Sequence, residues 1–205
     1  MNNIILKGLL RNIEYSHTID GVEYNKAQLL CSRDKGREDV INLRFKKFSN
    51  PYEDGKEISL IGNVRSFSEQ LENGKNKVNV YVFTYMDRPP TKEYADDSQQ
   101  EITNALEIDG RICKIGNLEK TPKGKTNLHF ILANNIIVND KQKLNSYLPC
   151  VAWGRLATEM ANLKVSDKIE IFGELHSREY KKQLDNGEME IRVAHEIVVL
   201  DYKLV

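Results

Sequence analysis

The sequence predicts an all-β protein of two tandem five-stranded Greek-key barrels, and three observations support this fold class. A chain of 205 residues is long for one small barrel and suits two domains of about 100 residues. Each half contains about five short segments in which apolar and polar residues alternate, separated by turn signals. The two halves repeat these segments in the same order, as two copies of one fold do.

Paired glycines mark the repeat. Gly8 and Gly110 stand at the same place in matching segments, 102 residues apart. Gly62 and Gly173 also stand at the same place in matching segments, 111 residues apart. The offset rises along the chain, which is expected if the second copy contains a few insertions relative to the first.

Residues 88–104 separate the copies and are interpreted as a linker, because they combine a proline pair, few apolar residues and a cluster of carboxylates. Domain 1 is therefore expected at residues 1–87 and domain 2 at residues 105–205. Between its third and fourth strands the second copy has apolar residues at helical spacing over residues 155–163. Pro51 opposes a regular helix at the matching place in the first copy. A short helix is thus predicted in the second barrel alone.

The composition is that of an ordinary globular protein, 40% hydrophobic and 29% charged. No apolar run approaches the ~20 residues that a membrane helix needs, and the N-terminus lacks the basic segment and apolar block of a signal peptide. Cys31, Cys113 and Cys150 lie far apart without a CxxC pair. We therefore expect a cytoplasmic protein with reduced thiols, no disulfide and no membrane partner.

No enzyme motif is found in the sequence. The histidines fall in separate segments without the spacing of a metal site or a catalytic triad. Lys123–Thr126 resembles the end of a phosphate-binding loop, but Glu119 stands where that motif needs glycine, and a strand follows where the motif needs a helix. A β-turn is predicted there instead. We expect a protein without catalysis, metal, cofactor or small-molecule substrate.

Large flat side chains lie on the predicted outer face of one strand in the second copy. Because strand side chains alternate, Tyr147, Val151 and Trp153 share one face, and the apolar Leu148, Cys150 and Ala152 share the other, which is the plausible core. An aromatic platform beside basic residues is what sequence-tolerant binding of unpaired nucleic acid requires, since every base has a π-face and every nucleotide a phosphate.

The first copy has a different outer face. The same alternation places Arg44 and Lys46 outward on its third strand, and Arg65 and Phe67 outward on its fourth. The first barrel is therefore predicted to hold nucleic acid mainly through charge, with Phe67 and Tyr81 as its stacking candidates.

Four ordered segments between residues 105 and 202 resemble the bacterial and phage single-stranded-DNA-binding proteins of the OB-fold type. These segments are Leu106–Ile112, Phe130–Asn134, Val151–Leu156 and Ile169–Tyr180. The resemblance implies an OB fold, and it places the aromatic residues typical of the family at Tyr147, Trp153 and Tyr180. It also implies that four barrels assemble, which a chain with two barrels would achieve as a homodimer.

The combined hypothesis is a protein that binds single-stranded DNA without strong sequence preference, in DNA replication, recombination or repair. The candidates for base stacking are Tyr147, Trp153, Tyr180 and Phe67. The candidates for phosphate contacts are Arg44, Lys46, Arg65, Arg111, Lys125, His176 and Arg178. Each stacked ring is expected to contribute on the order of 1 to 3 kcal/mol to binding.

An alternative hypothesis is an OB-fold module for protein–protein interaction or assembly, without significant affinity for nucleic acid. Zero net charge, from 30 basic and 30 acidic residues, favours this alternative, because nucleic-acid binders are commonly basic. Members of the single-stranded-DNA-binding family that the chain resembles usually end in an acidic tail that recruits replication proteins. Here the sequence reaches Val205 soon after the last predicted strand, so recruitment through such a tail is not expected.

Overall fold

The computed structural model describes residues 1–33, 36–47, 52–70, 74, 76–84, 103–139, 142–183 and 187–205. Within these ranges the chain forms ten strands and one short helix. Residues 88–102 of the predicted linker lie outside the described part of the chain, and Asn104 already begins a strand. No helix in the described ranges is long and apolar enough to cross a membrane.

The first five strands close into a barrel. They are β1 (Asn2–Ile19), β2 (Val22–Arg33), β3 (Arg37–Lys46), β4 (Glu57–Gln70) and β5 (Asn76–Thr84). Strand β1 pairs with both β2 and β4, and β3 pairs in parallel with β5, so the five strands form a closed barrel. This order of strands is a five-stranded Greek-key barrel.

The last five strands repeat this arrangement. They are β6 (Asn104–Lys120), β7 (Thr126–Asn139), β8 (Gln142–Trp153), β9 (Lys168–Gln183) and β10 (Met189–Leu204). Strand β6 pairs with both β7 and β9, and β8 pairs in parallel with β10. The helix α1 (Gly154–Met160) lies between the third and fourth strands of this barrel and buries Ala157 and Met160. The predicted fold class, including the position of the helix, is confirmed.

Alternating apolar residues fill the interior of each barrel. Leu148, Cys150 and Ala152 are buried as the alternation predicted. Val151, which the alternation placed on the outer face, is buried as well, so that prediction was wrong for this residue. The glycines of the repeat lie where strands approach most closely. A Cβ atom on Gly8 would lie 2.3 Å from the carbonyl oxygen of Leu30, and one on Gly110 would lie 2.5 Å from that of Ala133. A side chain at either position would therefore force two neighbouring strands apart.

The two barrels are joined by pairing of their first strands. Residues 2–6 of β1 pair antiparallel with residues 104–108 of β6, and Ile4 lies directly opposite Leu106. Ile4 and Leu106 are also counterparts in the repeat, 102 residues apart like Gly8 and Gly110. A local two-fold axis therefore passes through this residue pair, and the contact between the barrels is isologous.

Serine residues in β4 and β9 lock the barrels together on either side of this axis. The Ser66 hydroxyl accepts a hydrogen bond from the Tyr147 N–H at 2.8 Å, and the Ser177 hydroxyl accepts one from the Val40 N–H at 2.8 Å. Ser177 follows Ser66 by 111 residues and Tyr147 follows Val40 by 107, so both bonds are made by matching residues of the two copies. Tyr147 is thereby held at the boundary between the barrels.

Candidate nucleic-acid interface

Trp153 lies at the end of β8 with its ring half-buried and one face next to a cation. The Nζ of Lys125 lies 4.8 Å from the centroid of the indole. The turn between β6 and β7 sets the position of this lysine, because its N–H donates to the Thr121 hydroxyl at 3.1 Å and its carbonyl accepts from the Thr121 N–H at 2.9 Å. The predicted β-turn is present, and it places a cation over the ring.

Tyr147 lies on the same strand face as Trp153, six residues earlier in the chain. At about 3.3 Å per residue the two residues are on the order of 20 Å apart. The Tyr147 side chain is 49% exposed, although its backbone is bonded to Ser66 of the first barrel. The outer face of β8 therefore has two rings, Trp153 at its end beside the helix and Tyr147 at mid-strand, at the boundary between the barrels.

Strand β9 provides the third predicted ring. Tyr180 is 37% exposed, and the guanidinium carbon of Arg178 lies 5.7 Å from its ring centroid. The Arg178 Nε also lies 3.4 Å from the Glu196 carboxylate on β10, so part of its charge is balanced within the protein. The pair still presents a ring and a cation together on one surface.

Both residues line a groove of about 600 Å³ on the outer face of the second barrel, called the second groove below. The same face also carries Lys114 from β6, Lys182 from β9 and Arg192 from β10. A cavity of this size with cations along its wall matches the requirements for a chain of phosphates with bases attached.

The two stacking candidates of the first barrel, Phe67 and Tyr81, lie together on its outer face with Arg44. The guanidinium carbon of Arg44 lies 4.6 Å from the Phe67 centroid and 4.7 Å from the Tyr81 centroid. The two rings are 6.0 Å apart and tilted by 59°. The Arg44 guanidinium therefore contacts both rings at once and adds a charge to this aromatic surface.

Phe83 and Tyr24 extend this aromatic surface, and neither was among the predicted residues. Tyr24 stacks on His17 at 4.9 Å and lies 6.3 Å from Phe83. The alternation of β2 and β5 could have identified both rings as outward-facing, since Ala27, Leu29, Val80 and Val82 mark the buried face of these strands.

The outer face of the first barrel also has a groove, called the first groove below, with a volume of about 390 Å³. Arg44, Phe67 and Tyr81 line it together with two carboxylates, Glu14 and Glu69. A further lysine in its wall, Lys26, is ion-paired with Glu14 at 3.1 Å. The first groove is therefore close to neutral, whereas the second groove is basic.

Residues 103–204 match the model of the single-strand binding protein family. The C-terminal half of the chain belongs to this family. It comprises the whole second barrel, and hence Trp153, Lys125, Tyr147 and the residues of β9 and β10 described above. No curated protein sequence matches the chain.

Solved structures extend the comparison to both barrels. The wild-type single-stranded DNA binding protein of Thermus aquaticus is 18% identical, with a TM-score of 0.70, and the match covers 100% of this chain and 93% of that chain. A deletion mutant of the same protein matches with equal identity and TM-score over 94% of its length. At this level of identity the likeness shows the fold, a tandem pair of OB barrels.

Two of the predicted phosphate contacts are placed differently from the prediction. Arg65 is only 8% exposed, and its guanidinium lies 4.0 Å above the Phe83 ring, so it is not an outward cation. His176 accepts a hydrogen bond at Nδ1 from Arg33 at 2.8 Å, because a guanidinium can only donate. Its proton is then on Nε2 and is donated to Glu174 at 2.7 Å, which leaves the ring neutral.

The remaining predicted cations lie at the surface but apart from one another. Arg111 donates from Nη1 to the Ser166 carbonyl at 2.8 Å, which ties β6 to the loop before β9. Lys46 is exposed and lies opposite Tyr24 in the pairing of β2 with β3. The predicted stacking and phosphate candidates that lie at the surface thus form three ring–cation sets, which are Lys125 with Trp153, Arg178 with Tyr180, and Arg44 with Phe67 and Tyr81.

Burial shifts the pKa values of the two buried thiols and of one histidine among the described residues. Burial raises the pKa of Cys31 to about 12 and also raises the pKa of Cys150, so both thiols stay protonated at neutral pH. Burial lowers the pKa of His195, whose Nε2 lies 2.7 Å from the Val40 carbonyl oxygen. Among the described residues, no three His, Cys, Asp or Glu side chains are grouped as a metal site requires.

Proposed function

We propose that this protein binds single-stranded DNA without strong sequence preference, through the outer sheet faces of its two barrels. The observation that carries the proposal is the partly exposed Trp153 ring with Lys125 above it, on a barrel that belongs to the single-strand binding family. A ring can stack on any base, and an ammonium group can contact the adjacent phosphate, so the pair binds nucleotides of any sequence.

The mechanism combines stacking with neutralisation of phosphates. Trp153, Tyr147 and Tyr180 provide stacking surfaces in the second barrel, and the cations of the second groove face the backbone of the bound strand. Each stacked base contributes about 1 to 3 kcal/mol, and each neutralised phosphate releases counterions and makes binding weaker in salt. The first barrel adds a stacking surface in which Arg44 contacts both Phe67 and Tyr81.

DNA is the proposed ligand because both matched structures, the wild type and a mutant of one Thermus aquaticus protein, are named for single-stranded DNA binding. Replication, recombination and repair expose such strands, and we assign the protein to these processes in the cytoplasm. The proposed role is that of a binding protein without catalytic activity, since the described surface is built for stacking and charge.

The proposed assembly is a homodimer with four barrels, and an apolar surface supports it. Ile5, Ile61, Ala105, Phe172 and Leu200 line a depression of about 330 Å³ beside the β1–β6 junction. Leu200 is 61% exposed, which is unusual for a leucine beside other apolar side chains. A second copy can cover this surface isologously, through a two-fold axis between the two chains.

Light scattering would test the dimer. The wild-type chain is expected to have twice the monomer mass, and Leu200→Asp, which places a carboxylate in the apolar surface, is expected to have the monomer mass. Lys56→Asp, an exposed change away from this surface, should remain dimeric. A monomeric wild type at micromolar concentration would contradict the assembly.

A fluorescence titration tests the binding itself. The chain has a single tryptophan, so quenching on addition of oligo-dT reports on Trp153. We expect quenching that weakens with salt along a straight line in a double-logarithmic plot. An unchanged signal at low salt, together with no shift of labelled oligo-dT in a gel, would reject the proposal and support the protein–protein assembly module.

A further inference from the structure

We infer that the first barrel supplies a phosphate-binding lysine, Lys77, to the second groove, so that a strand bound on the second barrel contacts both barrels. This inference rests on the proposed function and identifies a composite site for the phosphodiester backbone. Lys77 belongs to β5 of the first barrel. It is not one of the predicted phosphate contacts.

The walls of the second groove come from two barrels. Asn76, Lys77 and Val78, at the start of β5, line the cavity together with Arg178, Tyr180 and Arg192 of the second barrel. The paired ends of β4 and β5 therefore bring the start of β5 to the outer face of β9 and β10. A ligand in this cavity touches residues that are more than 100 positions apart in the chain.

The charge of the cavity identifies the class of ligand. Its described lining contains five Lys or Arg side chains, which are Lys77, Lys114, Arg178, Lys182 and Arg192, against the single carboxylate of Glu196. Arg178 shares its charge with Glu196, and Arg192 pairs with Glu190. No ion pair with another described residue neutralises Lys77, Lys114 or Lys182, so these three ammonium groups are available to a polyanion.

Among the described lining residues, only the second groove receives a lysine from the other barrel. The position of Lys77 is therefore a property of this groove and does not follow from the two-fold repeat. Lys77 and Arg192 are counterparts in the repeat, 115 residues apart, and both line the second groove. The described lining of the first groove comes only from residues 12–81 of the first barrel. The second barrel therefore gains a cation from its neighbour, and the first barrel gains none.

The test compares two lysine variants of the full chain with oligo-dT of about 12 nucleotides, within the ~4–16 nucleotides that one OB fold covers. Lys77→Ala is expected to weaken the binding reported by Trp153 fluorescence several-fold at low salt. It should also reduce the slope of the double-logarithmic salt plot by about 0.7, the value for one phosphate contact on a single strand.

Lys56→Ala is the matched control, because it removes the same charge from the first barrel at a lysine that pairs with Glu53 and lines neither groove. Equal affinity and equal salt slope for the two variants would overturn the inference. Arg178→Ala separates this failure from failure of the proposed function. If Arg178→Ala weakens binding and Lys77→Ala does not, single-strand binding stands and the composite site does not.

Discussion

The two barrels have the same strand order, yet they place their aromatic rings at different points on the outer sheet face. At matching positions the first barrel has Phe67 and Tyr81, and the second has Arg178 and Glu196. In the first barrel the two rings pack around an arginine, and in the second the two side chains form an ion pair at 3.4 Å. The barrel interior sets the fold, and the outer face is free to differ because it supports no core.

One cross-strand pair shows this difference most directly. In the first barrel Tyr24 lies opposite Lys46, and at the matching place in the second barrel Asn127 lies opposite Trp153. Each barrel thus has one aromatic ring in this pair, but the ring comes from the second strand in the first barrel and from the third strand in the second barrel. Tyr24 and Trp153 are not counterparts in the sequence repeat, but the strand pairing places both rings at the same site of the sheet.

Removal of the Trp153 ring should have the largest effect on binding. Trp153→Ala is expected to weaken the affinity for oligo-dT by about 1 to 3 kcal/mol, or roughly 5- to 150-fold, because one base loses its stacking partner. Anisotropy of a labelled oligonucleotide measures the change, with circular dichroism as the control for folding. A cooperative loss of structure in this variant would show that the indole is needed for the barrel itself.

Removal of a ring from the first barrel should have a smaller effect. Phe67→Ala is expected to cost about 1 kcal/mol in affinity, since Arg44 already covers part of the ring and keeps contact with Tyr81. The same anisotropy titration provides the measurement. A loss as large as that of Trp153→Ala would show that the two barrels contribute equally to stacking.

Two neighbouring residues of β9 should differ in the salt dependence of binding. Arg178→Ala is expected to lower the slope of the double-logarithmic salt plot by about 0.7, because a charged phosphate contact is lost. His176→Gln should leave the slope unchanged, because its ring is neutral and bonded to Arg33 and Glu174. A reduced slope for His176→Gln would show that the ring is charged when DNA is bound.

The smallest expected effect is on stability at acidic pH, and it also distinguishes the barrels. Burial lowers the pKa of His195 in the folded chain, so below about pH 6.5 the unfolded chain binds more protons at this residue and the fold loses stability as the pH falls. The first barrel has the buried Val80 at the matching position.

Thermal unfolding between neutral pH and pH 5 measures this dependence. His195→Gln keeps a donor for the Val40 carbonyl but cannot be protonated, so its Tm should fall less with acid than that of the wild type. Val80→Ala is the control at the matching position and should lower Tm equally at all pH values, because it only removes buried apolar volume. An identical decline in the wild type and His195→Gln would contradict the assignment.

Much of the fold could be predicted from the sequence alone, because its signals are local or repeated. Alternation along each strand identified Leu148, Cys150 and Ala152 as core residues and Tyr147 as an exposed ring. Helical spacing identified the helix that follows Trp153. These properties follow from backbone geometry and burial, which act over a few residues.

The tertiary structure alone decided which cations are available to a ligand. His176 is neutral because it meets Arg33, 143 residues away in the chain, and Arg65 is buried because it meets the Phe83 ring. Such contacts join different strands and different barrels, so alternation cannot foresee them. The charge and exposure of a side chain depend on its neighbours in space, and those are set only when both sheets have closed and paired through β1 and β6.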